Sequence, residues 1–333
     1  MVSSVGHGDA SLTTILSRQS ANLRAEIERR STELSTGPHR DMGAAVGGDF
    51  SALAAVEHSL ARLKGHAAST TEAALLTDTV QTALGVISDD ATDLAGNILQ
   101  AVGPGTETSL DFLATEAGRA FNTAIAALNT RFSERAVFSG VNSDTSPLPA
   151  AETILAALDT AVAGAATVED VQTAIADWFA SPAGYDALYA GGAPRADLPI
   201  AAGETADLSV TALDPAIKDT LRALATAAMV GRGVLSGQHE ARSQLMKAAG
   251  TDLLSGGGAR SQLAARVGTV QAQIAAAQTR NEAEKSALDI ARAGIVAADP
   301  YETATRLEDL QTRLESLYLI TSRVSKLSLA DYI

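Results

Sequence analysis

From Ala259 almost to the final residue, Ile333, apolar and small side chains recur at helical spacing. Leu263, Val267, Val270, Ile274, Ala277, Leu288, Ala291 and Ile295 fall on one stripe spaced three and four apart, broken by Asn281 and Glu284. Leu307, Leu310, Leu314, Leu317 and Val324 form a second. The spacing predicts two amphipathic helices that need a partner along their whole length. End residues have neighbours on one side only, so a strongly patterned terminus must pack on something. The amino end supplies a candidate: Leu12, Leu16, Leu23, Ile27 and Leu34 make a similar stripe, with Gln19 and Arg30 in the missing positions. The expected helix-packing contacts are therefore Leu12, Leu16, Leu23 and Ile27 with Leu307, Leu310, Leu314, Leu317, Ile320, Val324 and Leu327.

Charge sorts the chain the same way. Residues 1–40 carry five Arg/Lys against four Asp/Glu, residues 259–333 nine against nine, and residues 41–258 eleven against twenty-six. The middle is thus −15 and accounts for the net −14. Near-neutral ends can approach copies of themselves without net repulsion, while an acidic body stays solvated. An assembling base with an exposed body is the expectation.

Composition narrows the class. Hydrophobic residues make up 46% and aromatics only 4%, with alanine prominent. Small side chains let helices approach closely, which favours long packed helices over a thick sandwich core. No run approaches the roughly 18 apolar residues of a membrane span, and the amino end has no basic-then-apolar signal, so membrane insertion and a cleaved signal peptide are not expected. The chain has no cysteine, which excludes disulfides and thiolate metal sites. Net negative charge without a basic, aromatic-laced patch argues against nucleic acid as a partner.

Along the chain, a helix is expected at 11–34, ended by Ser35-Thr-Gly-Pro38, then an irregular glycine-rich stretch at 42–48. Long helices follow at 50–102 and 109–135, with a turn at Gly103-Pro-Gly105 between them. After a loop at 141–149, short helices are expected at 151–162 and 168–179, and short strands at 185–189, 198–200 and 207–210. Trp178 and Phe179 are expected to anchor that region's core. Asp214-Pro215 starts a helix, with Asp as cap and Pro at the first helical position. Gly256-Gly-Gly258 separates a helix at 238–254 from one at 259–298, which at 1.5 Å per residue would run about 60 Å. Asp299-Pro300, with Glu302 three residues after the Asp, restarts a final helix. The chain thus reads as mainly α: an elongated antiparallel helical bundle or coiled coil built from both termini. Its expected parts are 1–141, an inserted small α/β domain at 142–213, and 214–333 returning to pair with the first.

Three segments resemble a known family. They are Arg119-Ala-Phe-Asn122 leading to Val137-Phe-Ser-Gly-Val-Asn-Ser-Asp144, Gly258-Ala-Arg-Ser-Gln-Leu263, and Ala298-Asp-Pro-Tyr-Glu-Thr303 followed by the helix into Ser328-Leu-Ala-Asp-Tyr-Ile333. In order and in distance from the carboxyl end they are similar to the bacterial flagellins and hook-associated proteins. The turn Ser35-Thr-Gly-Pro-His-Arg40 departs from the family pattern, keeping only its Ser, Gly and basic residue. The resemblance implies a structural part of the bacterial flagellum, exported unfolded through the flagellar channel and held by a cytoplasmic chaperone at its carboxyl-terminal region. It implies assembly as a ring joining hook to filament, with a hook-side junction protein, flagellin and other copies of itself as partners. The amino end, Val2-Ser-Ser-Val-Gly-His7, lacks the Ile-Asn-Thr-Asn-like opening common in flagellins, which favours the junction over the filament's bulk subunit. A cytoplasmic coiled-coil signalling module is the alternative from another class.

No constellation of residues points to catalysis, a cofactor or a metal. His239-Glu240 begins like a zinc helix, but Ser243 stands where the second ligand is needed. Asp89, Asp90 and Asp93 lie inside a helical pattern without the glycine of a calcium loop. The glycine clusters lack the Lys-Ser/Thr of a phosphate loop, and no Gly-x-Ser-x-Gly elbow is present.

Overall fold

The computed structural model describes residues 5–101 and 107–330. The expected turn at Gly103-Pro-Gly105 lies outside them. The chain divides into two compact units, one of residues 1–63 with 282–333, the other of residues 64–281. The divisions fall inside two long helices, and not at 141/142 and 213/214.

The first unit begins with α1 (Val5–Thr36) and the single turn α2 (Met42–Ala45). It takes in the start of α3 (Ser51–Ala101) and ends with α11 (Pro300–Ala330). Gly37 (φ 95°) stops α1 in a left-handed conformation and Pro38 cannot continue it, as the sequence predicts. Beyond α2, Gly47 and Gly48 turn the chain with φ of 60° and 82°.

The second unit is built on α4 (Glu107–Leu128), followed by strands β1 (Arg131–Phe132) and β2 (Arg135–Ala136) and helices α5 (Ala151–Val162), α6 (Val168–Ala180) and α7 (Tyr185–Leu188). Then come β3 (Leu198–Ala201), β4 (Glu204–Ala206), α8 (Pro215–Gly231), α9 (His239–Ser255) and α10 (Gly257–Val296). α8 is central: it packs on α4 and α9, and almost every residue from Ala216 to Val230 is buried. Its alanines let neighbours come close, and Gly250 of α9 does the same, since a Cβ there would sit 2.6 Å from Ile98 Cγ2. One core runs from the α3 stripe Leu76, Val80, Leu84, Ile87, Leu94 and Ile98 through α4 to Ile154, Leu158, Val171, Phe179 and Tyr185. Residues 142–213 therefore share their core with α4 and α8. Asp214 caps α8 as expected, accepting from Ala216 N at 3.0 Å with Pro215 at the helix start.

Four local expectations are corrected. The helix from α4 stops at Leu128 instead of running to 135. Asn129 turns the chain aside by exchanging two bonds with the Leu148 backbone, at 3.0 and 3.1 Å. A tight hairpin follows, with Ser133 and Glu134 at φ of 47° and 63° and Arg131 facing Ala136. Residues 185–189 form a helical turn and not a strand. Tyr185 is driven inward against Phe179 (ring centroids 5.3 Å apart), and its hydroxyl donates to Ala212 O at 3.0 Å. Residues 207–210 are not a strand either: β3 pairs with 204–206 around Gly203 (φ 76°), and the Asp207 carboxylate takes the Ser209 N–H at 2.8 Å. Finally, Gly256 alone interrupts α9 and α10, so Gly257 and Gly258 already belong to the long helix.

Candidate functional site

The candidate site is the pair formed by the two ends of the chain. α1 packs along α11, and the contacts show their sense. Tyr318 Oη accepts from Arg24 Nε at 2.9 Å and Nη2 at 2.6 Å, while Pro38 bridges Ala297. Moving forward along α1 therefore means moving backward along α11, an antiparallel pair.

At the closed end, backbone groups join the exit of α1 to the entry of α11. His39 N donates to Val296 O and Ala298 N to Gly37 O, both at 2.8 Å. Asp299 then caps α11, its Oδ1 accepting from Tyr301 N at 2.8 Å and Glu302 N at 3.0 Å. The Glu302 carboxylate pairs forward with Arg306. Beneath this junction Glu33 is buried. Burial alone would raise its pKa, but the Arg40 backbone N–H (3.0 Å) and the Arg30 guanidinium (2.9 Å) outweigh it and hold the carboxyl below its ordinary range. Glu33 thus ties the end of α1 to the turn after Pro38. At the Tyr318 contact the hydrogen bond from Arg24 lowers the phenol's pKa, and the guanidinium carbon lies 5.7 Å from the ring centroid.

The apolar stripes face each other incompletely. Of the expected contacts, Leu317 is buried at 7% exposure, and Leu16, Leu23, Ile27, Leu307, Leu310 and Leu314 are half-buried. Ile320 is 51% exposed. The side chains of Leu12, Val324 and Leu327 lie outside the described residues. Leu34 and the neighbouring Ile15, Tyr301 and Leu319 are also exposed, the last two at 84% and 64%. Two helices cover only one side of each other, so a stripe wider than their seam stays in water. Several charges on these helices are matched within a turn, as in Arg29–Glu26 (2.8 Å) and Arg313–Asp309 (2.7 Å).

The Arg24–Tyr318 contact and the Glu33 junction are absent from the sequence expectations. Neither residue belongs to an apolar stripe, and only the position of Glu33 one turn before Gly37-Pro38 hints at its role. Elsewhere, His239 pairs with Glu107 at 2.5 Å, which ties the start of α9 to the start of α4. Asp89 and Asp93 lie exposed on α3. Among the described residues no group of three His, Cys, Asp or Glu could hold a metal, and no helix is long and apolar enough to cross a membrane.

Residues 259–333, the end of the second unit and the last part of the first, match the bacterial flagellin C-terminal helical region. This match and the helical architecture define a flagellin-like fold. Within that class the crystal structure of Bacillus cereus FlgL, a hook-associated protein, is similar with a TM-score of 0.51 at 14% identity, over 72% of this chain and all of that one. A putative flagellar hook-associated protein from Vibrio parahaemolyticus aligns at 15% identity and a TM-score of 0.49, over 72% of this chain and 94% of that one. No curated protein matches the sequence.

Proposed function

We propose that this chain is a structural subunit of the bacterial flagellum of the hook-associated protein 3 type, assembling as a ring that joins hook to filament. The observation that carries the reading is the α1–α11 pair: an apolar seam only half covered within the chain, whose α11 lies in the segment that matches the flagellin C-terminal helical region. Bringing further copies alongside would bury that seam, at roughly 25 cal/mol for each Å² of apolar surface removed from water. The partners are further copies, a hook-side junction protein and flagellin, with a cytoplasmic chaperone and the flagellar export apparatus acting before assembly. The protein's place is outside the cell, on the flagellum.

The test is electron microscopy of flagella from a strain lacking the chain. Hooks without filaments, with flagellin lost to the medium, are expected. Absence of both filaments and secreted flagellin would make the chain the filament subunit, the second reading that the flagellin match supports. Complete filaments would overturn both.

A further inference from the structure

The β3–β4 hairpin sits on α3 and α10 through a small core of its own. Ile200 and Ala206 are fully buried against Ala73, Ile274 and Ala277, a cluster separate from the main core of the unit. Asn281, which interrupts the apolar stripe of α10, is 6% exposed, and its Nδ2 donates to Ile200 O at 2.9 Å. Gln273 Nε2 donates to Thr205 O at 3.3 Å, and Arg280 pairs with Glu204 at 2.5 Å across a half-exposed surface. On both sides the hairpin is tied to the main body. Before it, Arg195 donates from Nε to Gly140 O (3.1 Å) and from Nη2 to Ala136 O (2.9 Å). After it, Leu208 and Val210 pack on the main core and Ala212 N donates to Phe138 O at 3.1 Å.

We infer that β3–β4 is a hinged clasp that closes on α3 and α10, with Asn281 as the positioning residue that sets where it closes. A two-stranded hairpin has too little surface to hold itself in water, so it is ordered only while docked. The ties at Arg195 and Ala212 let it lift without disturbing the main core. Small clusters outside a main core open at lower free energy than that core. A buried amide that finds its partner only in one register makes misdocking costly, because the Ile200 carbonyl and the Asn281 amide would both lose their bonds. Asn281 is also the last residue of its unit, so the clasp grips α10 where that unit ends. This holds whatever the terminal helices assemble with.

Hydrogen exchange on the full-length protein tests it, following residues 198–206, 270–281 and 217–230 of α8. In the unmodified protein the first two segments are expected to exchange faster than α8. Ile200→Asp and, as a milder change, Asn281→Ala should each speed both by about tenfold or more and leave α8 unchanged. Exchange of all three segments at one common rate, in the protein and both variants, would make the hairpin part of the main cooperative core and overturn the inference. Faster exchange in 198–206 with 270–281 unmoved would also overturn it, since the hairpin would then ride on α10 without gripping it.

Discussion

Glu33 shows how much one side chain can organise when the backbone around it has nowhere else to bond. Its carboxylate takes the Arg40 N–H and the Arg30 guanidinium at the point where α1 ends and the chain crosses to α11. Replacing it with alanine removes the acceptor of two partly buried donors, a loss of about 1 kcal/mol. The measurement is hydrogen exchange at the amides of His39, Arg40 and Ala298, which should all quicken in Glu33→Ala. The pH dependence follows from the same contact. A carboxyl whose folded pKa lies below its ordinary 4.5 stabilises fully above that value, and the stabilisation fades as pH falls through the lower, folded pKa. The variant should therefore differ from the unmodified protein at neutral pH and converge with it in acid. An undiminished difference in acid would mean that packing, not charge, is what Glu33 contributes.

The elements divide into those with long periods and those held by single anchors. Helices α3, α10 and α11 are legible because three or more turns repeat one apolar pattern, and the tertiary structure agrees with it; α8 is legible from its Asp214-Pro215 start. The caps at Asp214 and Asp299 were legible because Asp-Pro has few other uses. The β1–β2 hairpin was not, since Phe132 continues the α4 stripe and only the distant Leu148 backbone, through Asn129, turns the chain away. Tyr185 and Leu188 fit a turn of helix as well as a strand, and the contact with Phe179 decides between them. At the site, the stripes of α1 and α11 were legible and their antiparallel sense was not, because it rests on pairs such as Arg24–Tyr318 that belong to no pattern. Asp299→Ala should cost α11 about 1 kcal/mol at its first turn. Exchange at the Tyr301 and Glu302 amides should rise, and Asp299→Asn should restore most of the protection. Equal loss in both variants would assign the effect to charge and not to the cap.

For the whole molecule the contrast between the two units matters most. Residues 64–281 enclose a continuous core from α3 to α9, whereas the buried apolar side chains described in the other unit are Leu63, Val296, Ala298 and Leu317. Ordering a residue's backbone costs about 1–2 kcal/mol, and so few buried side chains cannot offset that for helices as long as α1 and α11. The unit formed by the chain ends should therefore open more often than the other. Limited proteolysis of the full-length protein should leave a resistant fragment beginning near Lys64 and ending near Asn281, with early cuts in α1 and α11. On assembled material the same cuts should slow sharply if, as proposed, neighbouring copies cover Leu16, Leu23, Leu310 and Leu314. Leu314→Asp and Leu317→Asp place a charge in that seam, and both should abolish incorporation while the resistant fragment survives digestion unchanged. Motile cells with complete filaments made from either variant would remove the seam from the assembly. Equal resistance of both units in the free protein would mean that the terminal helices already hold a core of their own.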